Sequence, residues 1–180
     1  MADIQHAIQI AAKPEAIYPL LATAKGFTQW WAADVTESGG AVELGFFNRA
    51  TLYRLRLKVD KPPVQAEWIC ETGDEWNGTH IAFRLESRSS GTLLRFTHGG
   101  WKSDTEYFLN CNTTWGELMY RLKSAAEGKS RGPISIRSVH FYISECWCGA
   151  GPRPAASRLL STLALELRSN SRTSRTMPTS

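Results

Sequence analysis

A chain of 180 residues, 42% of them apolar, is long enough to bury one hydrophobic core and too short for several large domains. Its net charge of +4 is unevenly spread, because residues 1–128 carry 13 Lys/Arg and 15 Asp/Glu (net −2) whereas residues 129–180 carry 8 and 2 (net +6). The basic character therefore belongs to the C-terminal segment, and charge does not predict a nucleic-acid-binding surface on the folded part.

Neither a leader nor a membrane-spanning segment is expected. The stretch from Met1 to Lys13 lacks a basic start followed by an apolar run, and no apolar run approaches the roughly 18 residues of a membrane helix. We expect a cytoplasmic protein without a membrane partner, in which Cys70 and Cys111 are buried thiols. Cys146 and Cys148 have no second Cys or His pair at a useful spacing, so no metal site is predicted.

The first 30 residues predict one strand and two short helices. Apolar and polar residues alternate from Asp3 to Ala12, as they do in a half-buried strand. The sequence Lys13-Pro14-Glu15 begins a helix, since proline is tolerated at an early helical position, and Pro19 is expected to kink or shorten that helix. A second short helix is predicted over Ala24 to Trp30.

Several strands follow, bounded by turn residues. They are predicted over Val42–Phe46, Thr51–Asp60, Val64–Glu71, His80–Glu86 and Leu93–His98. Consecutive strands joined by tight turns predict an antiparallel meander with one apolar face and one charged face toward water. On the charged face we expect ion pairs between neighbouring strands. The basic partners would be Arg54, Arg56 and Lys58 on one strand, and the acidic partners Glu67 and Glu71 on the next.

An amphipathic helix is predicted from Thr105 to about Gly128. Its apolar residues recur at helical spacing; they are Phe108, Cys111, Trp115, Leu118, Met119 and Leu122. Ser103 or Asp104 would cap the helix, and Gly128 would end it. The helix is expected to close over the apolar face of the sheet and to leave an apolar pocket between the two.

The remaining residues are predicted to lie outside this domain, which we place at residues 1–130. Residues 131–180 form a basic, Ser-, Arg- and Pro-rich tail that is expected to be poorly ordered. Within it, Ile134 to Ile143 has a strand-like pattern, Ala155 to Arg168 has helical leanings, and Ser169 to Ser180 is typical of disorder.

Several segments resemble one known superfamily. Ala11–Tyr18 is similar to the first strand-to-helix junction of the START, birch-pollen-allergen and polyketide-cyclase (SRPBCC) superfamily. Gly26–Trp31 and Leu94–Trp101, followed by Trp115–Leu118 and Leu122-Lys123, resemble the second helix, last strand and closing helix of proteins similar to the activator of heat-shock-chaperone ATPase. The resemblance implies the α+β helix-grip fold: a curved antiparallel sheet wrapped around a long C-terminal helix, with two short helices after the first strand.

Members of this superfamily bind hydrophobic molecules, catalyse cyclisation or dehydration, or act as co-chaperones, so the resemblance leaves three functions open. The leading one is binding of a small hydrophobic or aromatic molecule in the cavity between the sheet and the long helix, with no cofactor. The second is an enzyme of the cyclase or dehydratase kind that uses a cavity histidine. The third is a co-chaperone or other partner-binding module, for which a heat-shock chaperone is one candidate partner, with an exposed apolar patch expected at Trp101 and the Gly26–Trp31 segment.

Inward-facing aromatic and polar side chains are the candidate ligand contacts. They are Trp30, Tyr53, Trp68, Phe83, Phe96, His98, Trp101, Cys111, Asn112, Trp115 and Met119. Ligand pockets are mostly apolar with a few orienting polar groups, as this set is, although rings of this kind also simply fill cores.

Two histidines are the candidate acid–base groups. His98 and His6 have inward parity on strands that are neighbours in the helix-grip arrangement, and the unperturbed pKa of histidine lies near neutrality. A hydrogen-bonded core or rim histidine is the structural alternative. The sequence contains no nucleophile or phosphate-loop motif, and Asp74 and Glu75 are expected to form a solvated acidic loop.

Overall fold

The structure, a computed structural model, describes residues 2–134. One antiparallel sheet in this stretch comprises β1 (Ala2–Ile10), β2 (Asp34–Ser38), β3 (Ala41–Phe46), β4 (Thr51–Lys61), β5 (Gln65–Cys70), β6 (His80–Arg88) and β7 (Gly91–Trp101). The helices of the same residues are α1 (Pro14–Ala22), α2 (Ala24–Phe27) and α3 (Glu106–Ala126). The spatial strand order is β1-β7-β6-β5-β4-β3-β2, so the first strand pairs with the last, as in a helix-grip fold. The predicted fold class is confirmed.

Strand β2 was not predicted from the sequence. It is an edge strand whose residues are mostly polar and exposed, so it lacks the apolar alternation that reveals a half-buried strand. It pairs with β3 from Asp34 opposite Gly45 to Ser38 opposite Ala41. The connecting turn uses Gly39 and Gly40, whose φ angles of 57° and 72° suit the tight turns that join antiparallel strands.

The two short helices differ in detail from the prediction. Pro19 lies inside α1 without ending it, and the Thr23 hydroxyl donates to the carbonyl of Pro19 at 2.8 Å. Helix α2 ends at Phe27 instead of Trp30, and the Thr23 side chain caps it by accepting a hydrogen bond from the Gly26 amide at 2.9 Å. One threonine therefore connects the two helices.

Helix α3 follows the prediction closely. Its buried residues are the six that the helical spacing selected: Phe108, Cys111, Trp115, Leu118, Met119 and Leu122. The capping residue is Thr105, one position after the predicted Asp104, and it accepts a hydrogen bond from the Phe108 amide at 3.1 Å. Gly128 lies just beyond the helix with φ of 73°, as expected for a residue that ends a helix.

The charged face of the sheet forms the predicted cross-strand pairs. Arg54 and Arg56 of β4 both pair with Glu71, the first at 3.1 Å, and Lys58 pairs with Glu67 at 3.9 Å. These groups are exposed to solvent, which screens them, so each pair adds little to stability.

The domain continues slightly beyond residue 130. The amide of Ile134 donates to the carbonyl of Trp31 at 3.3 Å, and Ile134 is buried. Ser130 donates to the Gln29 carbonyl at 3.1 Å. The chain after α3 therefore runs back along the segment that follows α2. Residues 135–180 lie outside the described residues. The predictions that fall there are the strand from Ile134 onward, the helix, the disorder of the tail and the Cys146/Cys148 pair; of these, only Ile134 itself is described. Among residues 2–134, no helix is long and apolar enough to cross a membrane.

Candidate functional site

Aromatic side chains fill the volume between α3 and the sheet. The ring centroids of Trp115 and Phe96 are 4.3 Å apart, and those of Trp115 and Trp31 are 4.9 Å apart. Trp30 and Trp31 stack at 5.4 Å. These separations are those of packed aromatic pairs. The structure therefore brings most of the predicted ligand contacts together as a closely packed core; this buried group comprises Trp30, Trp68, Phe83, Phe96, Trp101, Trp115 and Met119.

Four of the buried indoles are fixed by hydrogen bonds from their N–H groups. Trp30 and Trp68 donate to the carbonyls of Leu20 and Leu21, each at 2.9 Å. Trp101 donates to the His98 carbonyl at 3.0 Å, and Trp115 donates to the His98 ring at 3.0 Å. Because a buried N–H needs an acceptor, these bonds restrict each ring to one orientation.

His98 is a fully buried member of a hydrogen-bond chain. Its Nδ1 accepts from Trp115 Nε1, which can only donate, so the ring proton of a neutral His98 lies on Nε2. Nε2 is 2.9 Å from the Thr79 hydroxyl, which in turn donates to the Trp76 carbonyl at 2.6 Å. Burial, with a smaller effect of His80, lowers the pKa of His98 to about 3. Both nitrogens are occupied within the fold, which favours a structural role over that of a proton carrier.

This burial predicts a pH-dependent stability. The pKa of His98 is about 3 in the folded state and about 6.5 when unfolded, so the unfolded state binds more protons between these values. The stability due to neutral His98 is complete above pH 6.5 and is lost as the pH falls toward 3, by up to about 1.4 kcal/mol per pH unit. Urea unfolding between pH 7 and pH 4 measures the slope. His98→Gln, which has no titrating group, should show a shallower slope, and equal slopes for the two proteins would contradict the prediction.

His6 lies at the seam between β1 and α3. Its ring centroid is 6.0 Å from that of Phe96, and its Cε1 is 3.8 Å from where a Cβ on Gly116 would be. Its Nε2 is buried and has no hydrogen-bond partner within the described residues. In the β1–β7 register His6 is opposite Phe96, and His98 is opposite Ile4, so the two histidines are offset along the strands.

Two sequence-based placements are corrected. Asn112 is exposed, because it lies one residue beyond Cys111 and so about 100° around the helix from the buried face. It does not line the space under α3. The patch expected at Trp101 and Gly26–Trp31 is not exposed either, since Trp101 and the aromatic residues of that segment are buried. The exposed large apolar side chains of the described chain are Leu52, Val64, Leu109 and Tyr120.

A polar cluster lies under the first half of α3, and we define it as Tyr53, Trp76, Tyr107 and Cys111. The hydroxyls of Tyr53 and Tyr107 are 2.5 Å apart, and the rings of Tyr53 and Trp76 are 4.2 Å apart. Burial raises the pKa of Cys111 to about 11, and the adjacent side chains of Trp76 and Tyr107 offset part of that rise. Burial likewise raises the pKa of Tyr53 to about 12 and raises that of Tyr107. The cluster is therefore uncharged at neutral pH.

Trp76 is the residue of this cluster that the sequence analysis missed. It is 6% exposed, and the only acceptor beside its buried indole Nε1 in the described structure is the Cys111 sulfur, a weak one. An unpaired buried N–H costs about 1–3 kcal/mol, and a donor left with only a weak acceptor recovers little of that cost, so it calls for an explanation. The one signal in the sequence is a large aromatic residue within the acidic turn Asp74–Gly78.

An open cleft of about 210 Å³ lies where the edge of the sheet meets the chain beyond α3. This edge cleft is lined by Ala33, Asp34, Gly45, Phe46, Phe47, Asn48 and Ile134. Phe46 also contacts Tyr53, with ring centroids 5.9 Å apart. Phe46, Tyr53 and Trp76 thus form an aromatic row from the edge cleft to the weakly paired indole N–H.

The wall of the edge cleft has an unusual backbone. Phe47, Asn48 and Arg49 have consecutive positive φ angles of 53°, 54° and 65°. Such conformations cost energy for residues other than glycine and persist only where surrounding contacts hold them. Arg49 supplies two of these contacts, with Asp34 at 2.8 Å and Glu43 at 3.0 Å. The carboxylate in the cleft is therefore already neutralised by a partner. No group of three or more metal-ligating side chains occurs within residues 2–134.

No family model matches the chain, and no curated protein sequence matches it. Solved structures do. The solution structure of the Aha1 dimer from Colwellia psychrerythraea is 31% identical, aligns over 72% of this chain and 98% of its own, and has a TM-score of 0.65. An AHSA1-like protein from Aeromonas hydrophila is 15% identical over 74% of this chain and 99% of its own, with a TM-score of 0.54.

A more distant structural neighbour is DynU16, a putative protein in the dynemicin biosynthetic locus. It is 10% identical, with a TM-score of 0.59 over 73% of this chain and 49% of its own. At this identity the likeness concerns the fold alone.

Proposed function

This chain belongs to the Aha1 family of helix-grip proteins, and from that premise we propose that it binds a small aromatic molecule between its sheet and the first half of α3. The observation that carries the proposal is the buried Trp76 N–H, whose only acceptor within the described residues is the weak Cys111 sulfur. It lies at the inner end of the aromatic row that begins at the edge cleft. A ligand with an acceptor atom would satisfy this donor, while its ring would pack against Phe46 and Tyr53.

The arrangement of rings supports binding at the end of the core next to the edge cleft more than at the end covered by α1 and α2. Trp30 and Trp68, deeper in the core, donate to backbone carbonyls and are closed off by α1 and α2. Phe46 and Tyr53 are only half-buried, and Phe46 has no polar group that could anchor its ring, whereas Tyr53 bonds to Tyr107. A ring that is not locked by a hydrogen bond changes rotamer at lower cost, so Phe46, at the wall of the edge cleft, is the ring that a ligand displaces most easily.

Native mass spectrometry of the full chain tests this proposal directly. We expect the protein purified from cells to carry an added small mass that disappears on denaturation, or to bind 2-acetylnaphthalene once emptied. Absence of an added mass, together with absence of binding up to the solubility limit of that probe, would overturn the proposal.

A matched pair of variants places the site. Phe46→Ser should weaken 2-acetylnaphthalene binding about tenfold, because it removes an apolar ring contact from the wall of the edge cleft. Leu109→Ser, on the exposed side of α3, should leave binding unchanged. Fluorescence titration of the protein's seven tryptophans measures both affinities. Equal affinities in the two variants would rule out this cleft as the entrance.

A second candidate function is binding of a heat-shock chaperone. Leu109 and Tyr120 support it, because they are 56% and 64% exposed and their spacing puts them on the same side of α3. Pull-down with a purified heat-shock chaperone tests this candidate. Capture that is lost in the double variant Leu109→Ser/Tyr120→Ser would support it, and failure to capture the unmodified protein would contradict it. Cytoplasmic location stays a prediction from the sequence.

A further inference from the structure

Strand β1 is an outermost strand of the sheet, so only one of its two sides pairs with another strand. Ile10 turns its carbonyl toward β7, where a Cβ on Gly91 would lie 2.2 Å from that oxygen. Gln9 turns its carbonyl the other way, and the Lys123 ammonium donates to it at 2.6 Å. Because successive residues of an antiparallel strand alternate between the two sides, the odd-numbered residues from position 5 onward point their N–H and C=O groups to the free edge.

The backbone groups of Gln5 and Ala7 lie on this free edge. Both residues are exposed, and no hydrogen bond within residues 2–134 occupies their edge-facing groups. Farther along the same edge, side chains of α3 and of the residue after it fill the positions: Lys123 at Gln9, and Glu127, which accepts from the Ala11 amide at 2.8 Å. An unpaired strand edge is a template for a further strand. The open part of β1 is therefore a short stretch centred on His6.

The two outer strands of the sheet differ in how they discourage such pairing. Charged side chains on an edge strand oppose the approach of another strand. Strand β2 has Asp34 and Glu37 among its five residues, whereas Asp3 is the one carboxylate among the nine residues of β1, which has no lysine or arginine. The edge of β1 is therefore the less protected of the two.

His6 lies between the two open residues, and its ring points toward α3. Its Nε2 is buried and has no partner within the described residues, although buried polar atoms are nearly always hydrogen-bonded. On α3 the ring faces Gly116, where a Cβ would be 3.8 Å from His6 Cε1. Since glycine has no side chain, the helix leaves the flank of β1 open at this level.

Helix α3 carries an exposed apolar residue along the same flank. Gly116 and Lys123 are two helical turns apart, about 10.5 Å, and they contact His6 and Gln9, which are about 10 Å apart along the strand. The helix and the strand therefore run side by side. Leu109 precedes Gly116 by the same two turns, so it lies on the same stripe, and it is 56% exposed.

We infer that the free edge of β1 pairs with the same edge of a second copy of this chain, as antiparallel strands related by a two-fold axis at His6. Gln5 of each copy then lies opposite Ala7 of the other, and their open N–H and C=O groups bond to each other. The two His6 rings meet across the axis, and a neutral imidazole has one donor and one acceptor, so each ring supplies what the other lacks. Half-buried Ile8 and exposed Leu109 supply apolar surface beside the pairing.

The charges of β1 fit this arrangement. Asp3 lies opposite Gln9 of the second copy, whose carbonyl holds the Lys123 ammonium, so opposite charges approach each other at both ends of the pairing. No charged side chain of β1 faces one of the same sign across the axis. The inference does not depend on the proposed ligand site, because the edge cleft lies beside β2 at the other edge of the sheet.

Sedimentation velocity of the full chain over a range of concentrations tests the inference. We expect a monomer–dimer equilibrium that Ala7→Pro weakens by about tenfold or more, because proline removes the N–H of residue 7 from both symmetric bonds. Proline is tolerated on an edge strand. Ala7→Thr keeps the N–H and should leave the dissociation constant unchanged. A chain that stays monomeric throughout, or equal dissociation constants for the two variants, would overturn the inference.

Amide hydrogen exchange of the unmodified protein decides the question even if Ala7→Pro does not fold. The amides of Gln5 and Ala7 should exchange rapidly in dilute solution and slowly at concentrations where the dimer forms. Protection that is independent of concentration would mean that another part of the same chain covers this edge. Rapid exchange in the dimer would place the contact on a different surface, and either result contradicts the inference.

Discussion

Replacing Trp115 with alanine is expected to lower the free energy of unfolding by about 4 kcal/mol, within the range for a large ring removed from a packed core. Trp115 is 1% exposed, and its ring contacts those of Phe96, Trp31 and Trp76. Its loss would leave a cavity under the middle of α3 and would also leave His98 Nδ1 without its donor. Both effects act in the same direction, and urea unfolding followed by circular dichroism at pH 7 measures their sum.

Two control variants separate the contributions. Trp115→Phe keeps much of the ring packing and removes the hydrogen bond to His98, so we expect a smaller loss of about 1–2 kcal/mol. Tyr120→Ala lies on the same helix but is 64% exposed, and its effect should remain within about 0.5 kcal/mol. A loss below about 1 kcal/mol for Trp115→Ala would mean that this ring does not hold the helix to the sheet.

The structural core and the candidate site share one hydrogen-bond chain. Trp115 donates to His98, His98 meets the Thr79 hydroxyl, and that hydroxyl donates to the Trp76 carbonyl. The chain fixes the backbone at Trp76, which contributes the donor proposed to meet a ligand. A histidine that looked like an acid–base group is thus better placed to position the loop that carries Trp76.

Regular elements of the fold could be predicted because burial leaves a periodic pattern in the sequence. The helical spacing predicts the apolar face of α3 in full, since all six of its residues are buried. Strand β2 could not be read, because an exposed edge strand has no such pattern. Pro19 was expected to kink or shorten α1, but the helix continues past it to Ala22.

The candidate site was harder to predict than the fold. Trp76 lies in a turn between β5 and β6, where no periodicity distinguishes a buried ring from an exposed one. The alternation of side chains along each strand identified residues that face inward. It could not show that most of these side chains fill the interior themselves. Nor could it show that a cleft lies beside the unpredicted strand β2. Such features depend on how distant segments meet, and a single sequence does not encode this locally.

Gly26→Ala is the second substitution with a large expected effect, a loss of about 3 kcal/mol in the free energy of unfolding, at the upper end of the usual cost of overpacking. A Cβ at this position would lie 2.1 Å from the Pro19 carbonyl oxygen and 2.6 Å from Leu20 Cα. These are backbone atoms of α1, so no rotamer change relieves the clash and the two helices must separate. The Trp30 indole, which donates to the Leu20 carbonyl, would be displaced with them.

Gly116→Ala provides a matched comparison, for which we expect no loss in the free energy of unfolding. Gly116 is also helical, in α3, but a Cβ there would meet only His6 Cε1 at 3.8 Å, an ordinary contact. Alanine is the better helix former by about 1 kcal/mol, so this variant should be as stable as the unmodified protein or more so. Thermal or urea unfolding of the two variants side by side then tests whether close backbone approach, and not helix propensity, accounts for the glycine at position 26. A loss of stability in Gly116→Ala as large as that in Gly26→Ala would contradict this explanation.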